Sequence, residues 1–404
     1  MKFFCLTGFH RFSFLLLLFY PLCADARNHT RIHVWEMHEI TLTAEKDYSN
    51  YYQDVTCWVE LAGPGFSKRV YGFWNGGNSF LVRVVAENPG TWNWIIHSNQ
   101  PDDNGLNGKT GSFEAVAWSD QEKEENPNRR GFLRASANGH AWVYADGTPY
   151  FMVGDTWLAG STWRLPFRNA QTSPGYTPGP GMGFEDAVMY RKQQGFNSVS
   201  MISCFPNWDS DIYPSTYADS NGIYLRNAWE KFGYDVKGAK GEDASGGSSY
   251  WGSFTAKNMR DECGNLPFEM SREHQGVANF DRINPEYFKS LDRKMEFLSA
   301  NGFTALLETV RRDVGPSWKA YFDFNESFSR FFQYLISRYG AFNIVFSGIH
   351  LDWIPKDFSL SAKEFNEALV YHLKKYGPPP FGQPVTALIS SSTFTVFGHH
   401  QDCP

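Results

Sequence analysis

The first third of the chain has short runs of β-branched and aromatic residues, separated at regular intervals by turn residues. The pattern predicts strands over 32–42, 55–61, 69–74, 79–86 and 91–97. Strands at this spacing are typical of an all-β, immunoglobulin-like sandwich, which we place at residues 27–118. Residues 119–130 are charged and polar, so we interpret them as a linker.

From residue 131 onward the hydrophobic period changes. Two turn signals, Asn138-Gly139 and Asp146-Gly147, predict a three-stranded meander over 132–153. Strands and helices then alternate, with strands predicted at 196–203, 303–310, 343–347 and 385–390 and helices at 184–194, 285–301, 328–339 and 362–376. This order indicates parallel β/α units, in either a doubly wound sheet or a (β/α)8 TIM-type barrel.

The barrel is favoured over a nucleotide-binding fold because no Gly-rich phosphate turn follows the first strand, which we place at 150–153. Residues 131–404 provide about five of the eight strands that a barrel requires, so the sequence predicts an incomplete barrel. A long loop at 205–283 follows the second strand. Loops on that side of a barrel build the active site, so we expect this one to wall the substrate pocket.

Composition and charge narrow the range of partners. The net charge of −6 provides no basic surface for nucleic acid. Aromatic residues make up 17% of the chain, with 14 Trp, and flat rings suit the C–H faces of sugars as well as a protein core. The adjacent His399 and His400 are poorly arranged to bind one ion tetrahedrally, so we predict no metal and no cofactor. Composition therefore favours carbohydrate as the partner, and it specifies no oligomeric state.

The N-terminus has the pattern of a secretory signal peptide. Lys2 and Arg11 flank the apolar run 12–20, which is too short to span a bilayer, and a small-residue cleavage site follows at 24–26. No later apolar stretch has the length of a membrane helix. We therefore predict removal of 1–26 and a secreted protein that is not held in a membrane.

Two further features fit an oxidising, secretory route. Asn28 and Asn325 each begin an N-glycosylation sequon. Four cysteines remain after removal of the signal peptide: Cys57, Cys204, Cys263 and Cys403. A Cys204–Cys263 bridge across the long loop is one pairing that we expect, although spacing leaves the other pairings open.

Short motifs in the N-terminal region resemble, in order and spacing, the sandwich domain that commonly precedes a family of secreted glycosidases. They are 34–40 (VWEMHEI), 72–77 (GFWNGG), 80–84 (FLVRV) and 89–92 (PGTW). Further along, four stretches resemble the apiosidase-like family of glycoside hydrolases. They are 154–157 (GDTW), 192–197 (KQQGFN), 283–288 (INPEYF) and 337–340 (SRYG).

The second resemblance implies a TIM-barrel catalytic domain that acts on plant and related polysaccharides. Such hydrolysis needs two carboxyl groups across the scissile bond. The family carries its first catalytic acid at the end of strand four, where this chain has Asp352. An Asn-Glu, Gly-Glu or Gly-Asp pair is expected at that point, and His350-Leu351-Asp352 stands there instead. We predict Asp352 as the general acid/base, with a surface-loop carboxylate as the alternative.

Polar and aromatic residues near the predicted strand ends form the predicted substrate-binding set. Its members are Asp155, Trp157, Trp163, Asn207, Trp208, Glu308 and His350. For Asp155 the alternative is a helix cap or a turn, and for the Trp residues it is packing in the core. For Glu308 it is a buried ion pair with Arg311 or Arg312.

The leading hypothesis is a secreted glycoside hydrolase that cleaves poly- or oligosaccharides by paired carboxylates. The second carboxylate is expected on a later strand, beyond residue 404. The alternative is a non-catalytic secreted carbohydrate-binding or interaction protein that uses the same platform.

Overall fold

The computed structural model describes residues 30–163, 165–168, 183–204, 260–272, 278–310, 318–319, 321–351 and 362–389. Its first part contains, in chain order, β1 (Thr30–His33), β2 (His38–Thr43), α1 (Tyr51–Asp54), β3 (Cys57–Gly63), β4 (Phe66–Tyr71), β5 (Phe73–Gly76), β6 (Ser79–Val84), β7 (Gly90–Ser98) and β8 (Thr110–Val116). These strands form a five-stranded sheet in the order β1-β8-β7-β3-β4 and a three-stranded sheet in the order β2-β6-β5. Buried side chains of both sheets share one hydrophobic core. The predicted strand-rich sandwich is therefore present, and its immunoglobulin-like character stays a prediction.

Two of the predicted strands are each split in two, because the chain crosses between the sheets. The segment 32–42 bends at Trp35, whose φ of 61° lies in the left-handed region, and β1 and β2 belong to different sheets. The segment 69–74 breaks at Gly72, between β4 and β5. A Cβ on Gly72 would lie 2.8 Å from Cys57 Sγ and 2.9 Å from the carbonyl oxygen of Leu81. The backbone at this crossing therefore leaves no room for a larger residue.

Strand β6 is buried on both of its faces. Phe80 and Val82 lie in the core of the sandwich, whereas Leu81 belongs to the core of the domain that follows. Arg83, on the same side as Leu81, is only 5% exposed. The three-stranded sheet thus lies between the other sheet and the helices, which explains why apolar and polar residues alternate so weakly along β6.

The predicted linker is ordered. It contains helix α2 (Asp120–Glu125) and a 3-10 turn (Pro127–Arg130). Asn128, in that turn, is 7% exposed, and its Nδ2 donates to the carbonyl oxygen of Phe303 at 3.0 Å. The connection between the two domains is therefore bound to the surface of the second one.

The predicted meander is confirmed, with shorter strands: β9 (Arg134–Ala135), β10 (Trp142–Val143) and β11 (Pro149–Tyr150). The first parallel strand, β12 (Gly154–Thr156), begins only after it. Our placement of that strand at 150–153 is therefore wrong. The reason is local, since the N–H of Val153 donates to the side chain of Asn197 at 2.8 Å instead of to a neighbouring strand.

The remaining elements are α3 (Phe184–Gln193), β13 (Ser198–Cys204), β14 (Phe268–Met270), β15 (Ala278–Ile283), α4 (Pro285–Ala300), β16 (Thr304–Val310), α5 (Phe324–Tyr339), β17 (Ile344–Leu351), α6 (Ala362–Tyr376) and β18 (Val385–Ile389). Strands β14 and β15 form an antiparallel pair inside the predicted long loop. The other strands form a parallel sheet in the order β12-β13-β16-β17-β18. Each strand lies beside its predecessor, without the reversal of a doubly wound sheet, as expected for barrel-type β/α units.

The two faces of this parallel sheet have different environments. Val199 of β13 and Leu307 of β16 share one large core with helix residues such as Leu291 of α4 and Phe332 of α5. Successive side chains on a strand point to opposite faces. Residues that alternate with this set, such as Glu308, therefore point to the inner face of the sheet.

The cysteines do not pair as predicted. Cys57, Cys204 and Cys263 are free thiols, so the predicted Cys204–Cys263 bridge is wrong, and Cys403 lies outside the described residues. Cys204 is fully buried at the end of β13, where burial raises the pKa of its thiol, whereas Cys263 is exposed. A thiol in the core and one at the surface are not positioned to form a bond.

Candidate active site

The inner face of the parallel sheet carries a row of polar side chains. Ser200 of β13 donates through its Oγ to Glu308 Oε1 of β16 at 2.9 Å. Ser347 of β17 is the backbone neighbour of Glu308 in the parallel register. Glu308 and Ser347 are both fully buried. The structure therefore places one carboxyl group in the interior, where a charged group is costly to desolvate and needs hydrogen-bond donors.

Glu308 is two residues before Val310, the last residue of β16. Its neighbour in β13, Ile202, is likewise two residues before the end of that strand at Cys204. The buried position, which we gave as the alternative to substrate binding, is what the structure has. Arg311 and Arg312, its predicted ion-pair partners, lie outside the described residues. The burial of Glu308 and its hydrogen bond with Ser200 are those of an interior group, and the predicted contact with substrate stays a prediction.

Asp155 is held by several donors on the helix-facing side of β12. It is opposite Val199 in the register with β13 and accepts from Arg191 of α3 at 2.7 Å and from Trp157 Nε1 at 3.0 Å. The N–H of Thr156 donates to the other carboxylate oxygen at 2.9 Å. Burial raises the pKa of this carboxyl, but the hydrogen bonds and the guanidinium group outweigh burial and leave the pKa lowered. These are the contacts of a structural ion pair, and the predicted contact with a sugar stays a prediction.

Replacing Asp155 by Asn is therefore expected to reduce the free energy of unfolding by about 1–2 kcal/mol, the usual value of a charge-assisted hydrogen bond. Urea denaturation measures the change. Glu185→Gln, on the same helix as Arg191, is the control, because Glu185 pairs at 3.2 Å with an Arg168 that is 79% exposed and should contribute less than about 0.5 kcal/mol. Unchanged stability of the Asp155 variant together with weaker glycan binding would instead assign this carboxylate to the substrate.

The two predicted indole platforms are packed against protein. Trp157 is half-buried, and its ring meets Phe184 of α3 edge-on, with 5.6 Å between the centroids. Trp163 is 6% exposed, and the guanidinium of Arg260 lies 5.2 Å from its ring centroid. In this structure both rings pack against other protein groups, which is the alternative that we gave to a sugar-stacking platform.

Some of the remaining predicted site residues lie in the described part of the chain, and others lie outside it. The backbone of His350 lies in β17, opposite Leu388 of β18. Asn325 is exposed in the first turn of α5, and its glycosylation stays a prediction. Four residues lie outside the described ranges: Asn28, Asn207, Trp208 and Asp352. Among the described residues, no group of three or more His, Cys, Asp or Glu side chains is arranged to hold a metal ion.

Lys294 of α4 was missed by the sequence analysis. It is fully buried, and its Nζ donates to the carbonyl oxygens of Gly160 and Leu165 at 2.9 and 2.8 Å and lies 3.4 Å from Glu262. Burial lowers the pKa of Lys294, with Glu262 opposing that shift. Its spacing of three residues from Leu291 puts it on the buried stripe of the helix, a signal that could have been noticed. Lys294 thereby fixes the loop after β12.

Comparison with known proteins gives two family matches. Residues 136–350, more than half of the chain, match the apiosidase-like catalytic domain. Residues 31–99 match a domain of unknown function, DUF5060. No curated protein matches the chain. Within the described residues, no helix combines the length and the apolar character needed to cross a membrane.

Three of the solved structures that match the chain are glycoside hydrolases or candidates for that activity. A candidate glycoside hydrolase from Bacteroides vulgatus is 18% identical, with a TM-score of 0.54 over 89% of this chain and 56% of its own. A family 5 glycoside hydrolase from the same organism is 13% identical, with a TM-score of 0.38 over 68% of this chain and 43% of its own. The chain thus spans about half the length of these two structures.

A Bacteroides ovatus family 5 xyloglucanase, in complex with a heptasaccharide, is 8% identical, with a TM-score of 0.28 over 90% of this chain and 64% of its own. At these identities the likeness concerns the fold, and only the first of the three structures is similar enough to carry that argument. The family follows from the sequence match. The chain belongs to the apiosidase-like family of glycoside hydrolase-type proteins.

Proposed function

We propose that this protein is a secreted hydrolase of glycosidic bonds in poly- or oligosaccharides. The observation that carries the proposal is the match of residues 136–350 to the apiosidase-like catalytic domain. The parallel sheet in barrel order supports it, because the loops at the carboxyl ends of such strands form the active sites of these folds. The N-terminal pattern of a signal peptide supports secretion.

Within this proposal, Asp352 is the general acid/base. It directly follows Leu351, the last residue of β17, and carboxylates at strand ends are the usual catalytic groups of barrels. Glu308 has a different part, as an interior group that is held by Ser200. Hydrolysis needs a second carboxyl group within roughly 5–10 Å of the first, and we expect that group on a later strand.

The test is turnover of a panel of plant and microbial glycans by the protein and by its Asp352→Asn variant. Loss of a general acid/base is expected to slow hydrolysis by about a hundredfold or more, while glycan binding persists because the side chain keeps its shape. Asp323→Asn is a matched control, since Asp323 caps α5 through a hydrogen bond to Glu326. Hydrolysis that is unaffected by Asp352→Asn would remove this residue from the mechanism.

A non-catalytic carbohydrate-binding protein is the second candidate. The observation that favours it is the departure from the family pattern at the first catalytic acid, where His350-Leu351-Asp352 stands in place of an Asn-Glu, Gly-Glu or Gly-Asp pair. Binding of a glycan without turnover, in the same panel, would favour this candidate over the enzyme.

A further inference from the structure

A cleft lies at the opposite end of the parallel sheet from the proposed active site. Its volume is about 420 Å³, which is within the range of sites for small ligands. It is lined by Lys68 of the sandwich, Glu87 after β6, Arg134 and Trp142 of the meander, and Phe381 and Pro384 before β18. Pro384 directly precedes the first residue of β18, so the cleft is at the amino ends of the parallel strands.

The charges in this cleft are not balanced. Arg134 pairs with Glu87 at 3.3 Å through one terminal nitrogen, while its buried Nε has no hydrogen-bond partner. The ammonium group of Lys68 donates to the carbonyl oxygen of Pro380 at 2.8 Å, and no acidic side chain in the described ranges pairs with it. Two cations thus line a cleft with one carboxylate. The Arg134 side chain is 40% exposed, so its guanidinium group is accessible to an anionic ligand.

The cleft also has an aromatic surface. Phe381 lies beneath the cleft and stacks on Phe66 of the sandwich with 5.5 Å between the centroids, but at 1% exposure it offers no surface to a ligand. Trp142 is partly exposed at one side. An indole beside two cationic groups suits a ligand that has both a C–H face and a carboxylate. Sugars supply the first of these features, and uronic acids supply both.

We infer that this cleft binds a carboxylated sugar unit of a polysaccharide, with the ring against Trp142 and the carboxylate between the guanidinium group of Arg134 and the ammonium group of Lys68. The choice of a saccharide rests on the proposed function, whereas the choice of an anionic unit rests on the cleft. Because the cleft is far from the carboxyl ends of the strands, it holds the polymer without taking part in the chemistry.

Titration calorimetry of the full chain with a galacturonic acid oligosaccharide, and with a neutral glucose oligosaccharide of the same length, tests the inference. The acidic probe is expected to bind more tightly, with an affinity that falls as salt rises. Lys68→Met should weaken its binding by about tenfold, the effect of one charge-assisted hydrogen bond. Lys68 is exposed, so this variant should fold normally. The control is Lys363→Met, at a lysine of α6 that is 69% exposed and lies 3.8 Å from Glu367, and it should bind like the unchanged protein.

Equal binding of the two probes, no binding of the acidic probe, or full affinity of the Lys68→Met protein would each overturn the inference. These outcomes are independent of turnover. If the protein binds the acidic probe through Lys68 but cleaves no glycan, this inference stands and the proposed hydrolase function falls. If it cleaves glycans but does not bind the acidic probe, the proposed function stands and this inference falls.

Discussion

Replacing Asp292 by Asn is expected to lower the free energy of unfolding by about 3–5 kcal/mol, the usual cost of leaving buried charges without their partner. Asp292 of α4 is 7% exposed and accepts from Arg83 at 2.9 Å and from two nitrogens of Arg338, each at 2.7 Å. Burial raises the pKa of this carboxyl, yet the two guanidinium groups outweigh it and keep the pKa lowered. The Asn variant would leave two buried cations facing each other.

This cluster also joins the two domains. Arg83 belongs to β6 of the sandwich, and it donates to the carbonyl oxygen of Arg338 at 2.8 Å and to Glu39 at 3.1 Å. The ring of Phe73 lies near both guanidinium groups, 5.1 Å from that of Arg83 and 4.7 Å from that of Arg338. Because the carboxylate of Asp292 binds one arginine from each domain, we expect the sandwich and the β/α domain to unfold in one transition. In the Asn variant we expect two separate transitions.

Urea denaturation followed by tryptophan fluorescence and by far-ultraviolet circular dichroism measures both effects. Asp281→Asn is the matched control, because Asp281 also pairs with an arginine, Arg330, at 2.7 Å, with side chains that are 24% and 20% exposed. That partly solvated pair should contribute about 1 kcal/mol. A loss below about 1 kcal/mol for Asp292→Asn, or two separate transitions in the unchanged protein, would contradict the assignment.

The regular elements of the second domain could be predicted because their signals are local. The structure has helix α6 at the predicted bounds, and α4 begins at Pro285 after the N-cap Asn284, whose side chain accepts from Glu286. Each of these signals acts within one turn of helix, so no tertiary contact is needed to recognise it. The split at Gly72, in contrast, depends on Leu81 and Cys57 of neighbouring strands.

The site was predicted less well, because it depends on which face of a strand a side chain occupies. The start of the first parallel strand was placed four residues too early, at 150 instead of 154, so Asp155 was expected beyond the strand, at its mouth. It lies within β12 instead, facing α3. Only the pairing of Asp155 with Val199 assigns the face, and this pairing joins residues far apart in the sequence. Glu308 is inside a strand whose limits were predicted correctly to within one residue, and its buried position was recognised as the alternative to substrate binding.

Acidification from pH 6.5 to pH 4 is expected to cost this protein about 3 kcal/mol through a single residue, His372 of α6. Its ring is fully buried, and Nδ1 lies 3.2 Å from the carbonyl oxygen of Ser329. Burial lowers the pKa of His372 to about 4, helped by Lys375 and opposed by the hydrogen bond to Ser329. Nε2 has no partner among the described residues, so a second proton would be placed in the core without an acceptor.

The direction of the change in stability follows from the pKa of His372 in the unfolded chain and in the folded protein. Above pH 6.5 the ring is neutral in both states and folding is unaffected; between pH 6.5 and 4 only the unfolded chain takes up the proton, so stability falls as the pH falls. Urea denaturation across this range should show a shallower pH dependence for His372→Leu than for the unchanged protein. His140→Leu, at an exposed position of the meander, should keep the original slope. An equal slope for both variants would mean that the folded protein accommodates the imidazolium. The ring of Phe332 packs against that of His372, with 4.8 Å between the centroids. This contact would then open at a smaller cost in free energy than the burial of His372 implies.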